Sequence, residues 1–291
     1  MKRIIVITGP TGVGKTKLSI ALAHHFNGEI INADSMQIYK GLNIGTAKIS
    51  EEEKESIPHY LFDEKDVNDD YAVYDYQRDG RLILDQFKDD IIPIIVGGTG
   101  LYIKALLYDY VFYKEEEKYD FSHLTNIEMY NKLKGYNPNI EIHLNNRKRL
   151  ERRLNMYMNK KDICSDGNNL LYDAIFIGLT IDRDKLYDLI NQRVDKMILN
   201  GLIDEVKSLY DQGIRSKAVM TGIGYKELYQ YFDGDISLED AIQLIKKNSR
   251  HYAKRQYTWF NHQMNLKWFE VDLNHFDETE KEVIAYIEKN L

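Results

Sequence analysis

Arg3-Ile4-Ile5-Val6-Ile7-Thr8 runs straight into Gly9-Pro10-Thr11-Gly12-Val13-Gly14-Lys15-Thr16, and this junction decides the fold. The first six residues form a short apolar run that feeds a glycine turn, the pattern of a buried parallel strand. The next eight satisfy G-x-x-x-x-G-K-[ST]. Leu18, Ala21, Leu22 and Phe26 follow at helical spacing, so the strand–loop–helix context that the motif needs is present. The glycines let successive backbone N–H groups turn inward around phosphate oxygens. The helix N-terminus adds about half a positive charge, and Lys15 adds a full one. Thr16 stands where its hydroxyl can reach a Mg²⁺ that bridges two phosphates. Gly9, Thr11, Gly12, Val13, Gly14, Lys15 and Thr16 are therefore expected to hold a diphosphate group.

Working outward, further strands are expected at 29–33, 91–96, 174–179 and 266–271, with helical patterns between them at 82–88, 101–107 and 186–198. Alternation of this kind implies an α/β protein, a P-loop doubly wound parallel sheet. Residues 112–172 break the rhythm. They open with the charged run 114–118 and offer only helical patterns, such as Leu150, Leu154, Tyr157 and Met158. This stretch reads as a helical insertion lobe. The expected division is thus a first part of the core at 1–111, the insertion at 112–172, and a second part at 173–291 with a basic C-terminal helix.

A chain of 291 residues with 43% hydrophobic and 29% charged residues has the balance of a globular protein. No apolar run approaches the roughly 20 residues that cross a bilayer. The apolar N-terminal run stops at Gly9-Pro10, which excludes a signal-peptide reading. Cys164 is the only cysteine, so an internal disulfide and a cysteine-rich metal site are excluded. A cytoplasmic monomer with no membrane association and no stable protein partner is expected. The net charge of −7 argues against a nucleic-acid partner, yet the average hides local imbalance. Residues 246–262 hold Lys246, Lys247, Arg250, Lys254 and Arg255 with no acid, and 147–153 hold five basic residues against Glu151. Each cluster is either a solvated helix face or a phosphate-contacting surface. Lys246, Arg250 and Lys254 fall at i, i+4 and i+8, on one stripe of a helix, whereas Ile245, Tyr252 and Trp259 fall on a face expected to be core.

The phosphate motif does not say whose phosphates are held. Many P-loop NTPases end a later strand in an acid that helps bind Mg²⁺. Here the strand at 91–96 ends in Gly97-Gly98-Thr99-Gly100, which departs from an ordinary ATPase. After the second strand comes Asn32-Ala33-Asp34-Ser35-Met36-Gln37-Ile38-Tyr39. Strand C-termini line the ligand crevice of a parallel sheet, so Asp34 is expected to face the phosphate loop. A carboxylate there can take a proton, although Asp and Ser after a strand also commonly cap a helix.

These segments together resemble one family, the tRNA dimethylallyltransferases. The resemblance rests on 9–16 (GPTGVGKT), 33–48 (ADSMQIYKGLNIGTAK), 93–107 (PIIVGGTGLYIKALL), 182–197 (DRDKLYDLINQRVDKM), 222–228 (GIGYKEL) and 252–260 (YAKRQYTWF), and it covers nearly the whole chain. It implies that the loop holds the diphosphate of dimethylallyl diphosphate, not ATP, and that the acceptor is N6 of adenosine 37 beside the anticodon of tRNA. It implies Asp34 as general base, with Thr99 and Arg193 completing the catalytic group and Lys15 and Thr16 with Mg²⁺ taking the leaving group's charge. Without it, Thr99 reads equally as a helix cap and Arg193 as a surface residue of an amphipathic helix. The resemblance further implies tRNA contacts at Asp34, Ser35, Met36 and Gln37, at Ile142, His143 and Asn145, and along Lys246, Arg250 and Lys254.

Some positions depart from the family pattern. Leu189 stands where arginine is frequent, Tyr60 replaces a common second histidine, and Asn261 replaces a frequent arginine. Three rival readings remain open at this level. They are prenyl transfer to free adenine nucleotides, a small-molecule kinase, and an NTP-dependent RNA-binding switch. The basic helices and the insertion favour a tRNA substrate, and no adenine-reading signature for ATP is recognisable.

Overall fold

The structure, a computed structural model, describes residues 3–112, 117–159 and 167–291. Cys164 and most of the charged run 114–118 lie outside the described residues. The elements in chain order begin with β1 (Arg3–Thr8), α1 (Lys15–Phe26), β2 (Gly28–Asn32), β3 (His59–Tyr60), α2 (Val73–Gln86), β4 (Ile92–Val96) and α3 (Gly100–Leu107). Two helices follow, α4 (Asn126–Tyr136) and α5 (Arg147–Met158). The chain then runs through β5 (Asp173–Thr180), α6 (Arg183–Leu199), α7 (Leu202–Asp211), α8 (Lys217–Thr221), α9 (Tyr225–Phe232), α10 (Leu238–Gln263), β6 (Lys267–Glu270) and α11 (Phe276–Asn290).

Among the described residues the strands form one all-parallel sheet in the order β3-β2-β4-β1-β5-β6. The strand that carries the glycine loop is central, with Ile5 in register with Ile94 of β4 and Ile175 of β5. Helices cover both faces of such a sheet, which is why β1 reads as a continuous apolar run: Ile4, Ile5, Val6 and Ile7 are all buried. The short strand β3 lies at the edge and is not visible in the sequence pattern, because two residues carry no periodicity. Its Tyr60 hydroxyl donates to Glu29 of β2 at 2.6 Å, so this departure from the family pattern has a bonding role of its own.

The chain divides into two compact units, Met1–Leu107 with Leu171–Leu291, and Tyr108–Leu170. The second unit has its own core of Phe121, Met129, Leu133, Ile140, Ile142, Leu150 and Leu154. Its first helix opens on a capping box, in which Thr125 accepts the Glu128 N–H and Glu128 reaches back to the Thr125 N–H. Ile142, expected to contact nucleic acid, is only 6% exposed and packs in this core. The difference is one of side-chain direction, since its neighbours His143 and Asn145 are exposed. Arg147, from the basic cluster, donates to the Phe121 and Leu124 carbonyls and pairs with Glu151 at 2.7 Å, so it holds the unit together. Lys148, Arg149 and Arg152 are exposed.

No helix among the described residues is long and apolar enough to cross a membrane.

Candidate active site

The glycine loop wraps tightly at the end of β1. Gly12 and Gly14 have φ of 90° and 88°, a left-handed conformation that glycine adopts without steric cost, and Gly14 caps α1. Lys15 is the first residue of that helix. Its Nζ donates to the Gly9 carbonyl at 3.1 Å and to the Pro10 carbonyl at 2.7 Å. Burial, reinforced by the nearby Arg193 charge and opposed by Asp34, lowers the Lys15 pKa to about 7. An anion in the loop would favour the charged ammonium.

The ends of β2 and β4 are stitched together beside the loop. Ala33 N–H donates to the Val96 carbonyl at 2.7 Å, Thr99 N–H donates to the Ala33 carbonyl at 3.0 Å, and the Thr8 hydroxyl donates to the Gly97 carbonyl at 3.0 Å. Asn32, 2% exposed, holds the turn that presents Asp34. Its Nδ2 donates to the Asp34 and Leu61 carbonyls at 3.0 and 2.9 Å, while its Oδ1 accepts the Asp34 N–H at 2.9 Å. The Asp34 carboxylate accepts the Met36 N–H at 2.9 Å. The Thr99 side chain turns toward the segment after β2. Its Oγ1 accepts the Ser35 N–H at 3.1 Å and contacts Ser35 Oγ at 3.4 Å, so it fixes the segment after Asp34.

Two adjoining cavities, of about 300 and 370 Å³, share Thr11, Asp34, Thr46 and Arg193. The larger is lined by Gly12, Gly14, Lys15 and Thr16 of the loop, with Gln37 and Gly98 opposite. The smaller is lined by Ser35, Met36 and Tyr252, and closes on the apolar side chains Ile190, Val194, Met197 and Ile245. One cavity is thus suited to anionic oxygens and the other to a flat or apolar group, with a carboxylate and a guanidinium at their junction. Arg193 reaches the junction from α6, its guanidinium 3.4 Å from the Thr46 carbonyl. Burial lowers its pKa and the Asp34 charge raises it. Gln37 donates its Nε2–H to the same carbonyl at 3.1 Å. Leu189 lines the loop-side cavity together with Gln192 and Lys196, so α6 offers a lysine one face-repeat away from the position where arginine is frequent.

Thr16 and Asp34 give this cavity one hydroxyl and one carboxylate. Among the described residues no group of three or more His, Cys, Asp or Glu could hold a metal ion. An all-oxygen pair fits Mg²⁺, which typically takes one or two protein ligands and completes its shell with phosphate oxygens and water.

Three residues of α10 stand at the site without having been expected there. Gln256 bridges the loop and the turn after β4. Tyr252, assigned to the core by its spacing, lines the smaller cavity and meets Thr99 and Gln256; burial and the Asp34 charge raise its pKa. Arg255 lines the same cavity. Helical periodicity cannot separate a core face from a cavity face, because both point inward. The expected basic stripe of α10 is also resolved into different roles. Lys246 pairs with Asp195 of α6 at 2.7 Å and Arg250 donates to Asn191 at 2.5 Å, while Lys254 is exposed. Packing of α10 against α6 occupies the first two.

A model of the IPP transferase family matches residues 37–263. The chain is 47% identical to the tRNA dimethylallyltransferase of Anoxybacillus flavithermus, over 99% of this chain and 96% of that one. It is 45% identical to the tRNA dimethylallyltransferase of Bacillus subtilis, over 92% of this chain and 90% of that one. Among solved structures it resembles the full-length tRNA isopentenylpyrophosphate transferase from Bacillus halodurans, with TM-score 0.78 and 41% identity over 100% and 97% of the two chains. It also resembles a eukaryotic dimethylallyltransferase acting on tRNA, with TM-score 0.84 and 32% identity over 100% of this chain and 79% of the other.

Proposed function

Because the chain belongs to the IPP transferase family of tRNA-modifying prenyltransferases, we propose that it transfers a dimethylallyl group from dimethylallyl diphosphate to N6 of adenosine 37 in tRNA. The observation that carries this reading is the pair of cavities meeting at Asp34 and Arg193. The diphosphate occupies the loop-side cavity, against the N–H groups at the start of α1, Lys15 and Arg193. The allyl carbon then lies at the junction, and the adenine reaches it from the side of Ser35 and Met36.

The adenine N6 lone pair attacks the allyl C1. The C1–O bond breaks and its electron pair leaves with the diphosphate. Attack acidifies the N6–H, and the Asp34 carboxylate accepts that proton. A general base contributes roughly 10²–10⁴-fold. Lys15 and Arg193 stabilise the charge that accumulates on the leaving group, and such preorganised donors are worth roughly 3–4 kcal/mol each. The Thr16 hydroxyl, with the Asp34 carboxylate lining the same cavity, would hold Mg²⁺, which would supply further neutralisation of the leaving group's charge. The target base leaves the anticodon loop to be modified. Exposed cations on α5 and on α10, with His143 and Asn145, provide phosphate and loop contacts. Substrate and locale fit a cytoplasmic enzyme that works as a monomer.

The test incubates the protein with Mg²⁺, labelled dimethylallyl diphosphate and either tRNA or AMP. Label on tRNA, with no requirement for ATP, supports the reading. Label on AMP alone, or phosphoryl transfer from ATP without prenyl transfer, overturns it.

A further inference from the structure

Four hydrogen-bond donors converge on Glu205, in the first turn of α7. Its Oε2 accepts the N–H groups of Asn43 at 3.0 Å and Ile44 at 2.8 Å, and its Oε1 accepts the Gly45 N–H at 3.1 Å. The hydroxyl of Tyr225, a fully buried residue, donates to Oε1 at 2.7 Å. The Tyr225 side chain packs against Gly45, where a Cβ would meet its Cε2, Cζ and hydroxyl oxygen at 2.6–2.7 Å, so the backbone here is held from two sides. The next residue is Thr46. Its carbonyl accepts from both Gln37 and Arg193, and it lines both cavities. An unbroken path therefore runs from the Glu205 carboxylate through the 43–45 amides and the Thr46 carbonyl to the Arg193 guanidinium.

We infer that Glu205 is a positioning residue for prenyl transfer: it fixes the Thr46 carbonyl, and through it the Arg193 guanidinium that faces the diphosphate. The chemistry demands a carboxylate. An ionised carboxylate only accepts, and it offers about four lone-pair sites for four donors. Bonds to a charged acceptor are about twice as strong as neutral ones. A carboxamide would turn its own N–H₂ against at least one donor. Without the carboxylate, three consecutive amides lose their acceptor, and Thr46 is left with its hydroxyl bond to the Leu42 carbonyl and the bonds its own carbonyl accepts. Displacement of about 1 Å at a group facing the reacting atoms can cost about 10²-fold in rate. The pattern also gives a role to residues 43–48, the later part of the segment 33–48, and to 222–228: Gly45 makes room for the Tyr225 side chain, and Tyr225 orients Glu205.

This inference rests on the proposed prenyl transfer, and its test keeps the two apart. Donor KM, kcat and tRNA affinity are measured for the wild type, Glu205→Ala, Arg193→Ala and the double variant. Glu205→Ala is expected to raise donor KM or lower kcat by about tenfold or more, with tRNA affinity within about twofold. The double variant should be within about twofold of Arg193→Ala, because groups acting through one another are not additive. Tyr225→Phe, which removes one of the four bonds, should show a smaller loss. Wild-type kinetics in Glu205→Ala, or multiplicative losses in the double variant, overturn the inference. If Glu205→Ala does not fold, the same cycle is run on the near-isosteric Glu205→Gln. If the wild type fails to label tRNA, the proposed function falls, and the cycle is read instead from calorimetric binding of inorganic diphosphate, where additivity again overturns the inference.

Discussion

Gln256 donates its Nε2–H to the Gly98 carbonyl at 3.0 Å, while its Oε1 accepts the Thr11 N–H at 3.2 Å. One side chain of α10 thus ties the glycine loop to the turn after β4. The side chain is 5% exposed, and a Cβ on Gly98 would collide with its amide, so the two positions are matched. Gln256→Ala would leave a buried carbonyl without this donor, at a cost of about 1–3 kcal/mol. The expected result is a lower denaturant midpoint at unchanged m-value, with a raised donor KM. An unchanged midpoint would show that water replaces the amide without loss.

Asp34 is held by Asn32 on one side and caps the Met36 N–H on the other, so its role in chemistry can be separated from its role in shape. Asp34→Asn retains an acceptor for the Met36 N–H but cannot take the N6 proton. A fall in kcat of about 10²–10⁴ is expected, with tRNA affinity nearly unchanged. Collapse of tRNA binding, measured by filter retention, would make Asp34 an orienting group instead.

The pH dependence of the site follows from Lys15. Its pKa in the folded protein, about 7, lies below its ordinary value of 10.5. The unfolded chain therefore binds this proton more tightly between pH 7 and 10.5, and stability contributed by this group rises with pH across that window. Activity runs the other way. The free enzyme loses the ammonium as pH rises through about 7, so kcat/KM for the diphosphate donor should fall there, while kcat, which reports the bound complex, should not follow it. Lys15→Met is expected to remove the rising limb of stability and nearly all transfer. A stability profile with the same slope in wild type and Lys15→Met would rule out this assignment.

The two ends of the basic stripe on α10 should behave differently. Lys254 is exposed, so Lys254→Ala should flatten the slope of log K for tRNA against log salt by about 0.7–0.9. Lys246 is committed to Asp195, and Lys246→Ala should leave that slope unchanged. Equal effects on the salt slope would mean that the pair opens when tRNA binds.

In the second unit, Ile142→Ala should destabilise by about 2–5 kcal/mol as a buried large-to-small change. His143→Ala and Asn145→Ala, at exposed positions, should leave stability within about 0.5 kcal/mol and weaken tRNA binding. Weakened tRNA affinity with Ile142→Ala at full folding would restore Ile142 as a contact residue.

What the sequence determined by itself was local in origin. The loop at 9–16 is a strand end, a glycine turn and a helix start in one continuous stretch, and the buried apolar residues of β1 and β4 declare central strands of a sheet covered on both faces. Asp34, Lys15 and Thr16 could be named because chemistry and position are contiguous in the chain. The tertiary structure alone decided what lies opposite them. Arg193, which the chain offered only through its resemblance to a family, comes from 159 residues after Asp34; Gln256 comes from α10, and Glu205 acts through a loop more than 150 residues before it. These pairings are set by where α6, α7 and α10 pack, and residue type carries no trace of that. The same cause divided Lys246 and Arg250, bound to α6, from Lys254, and Ile142 from its exposed neighbours. Periodicity says which side of an element turns inward, but the partner on that side is decided by the whole fold.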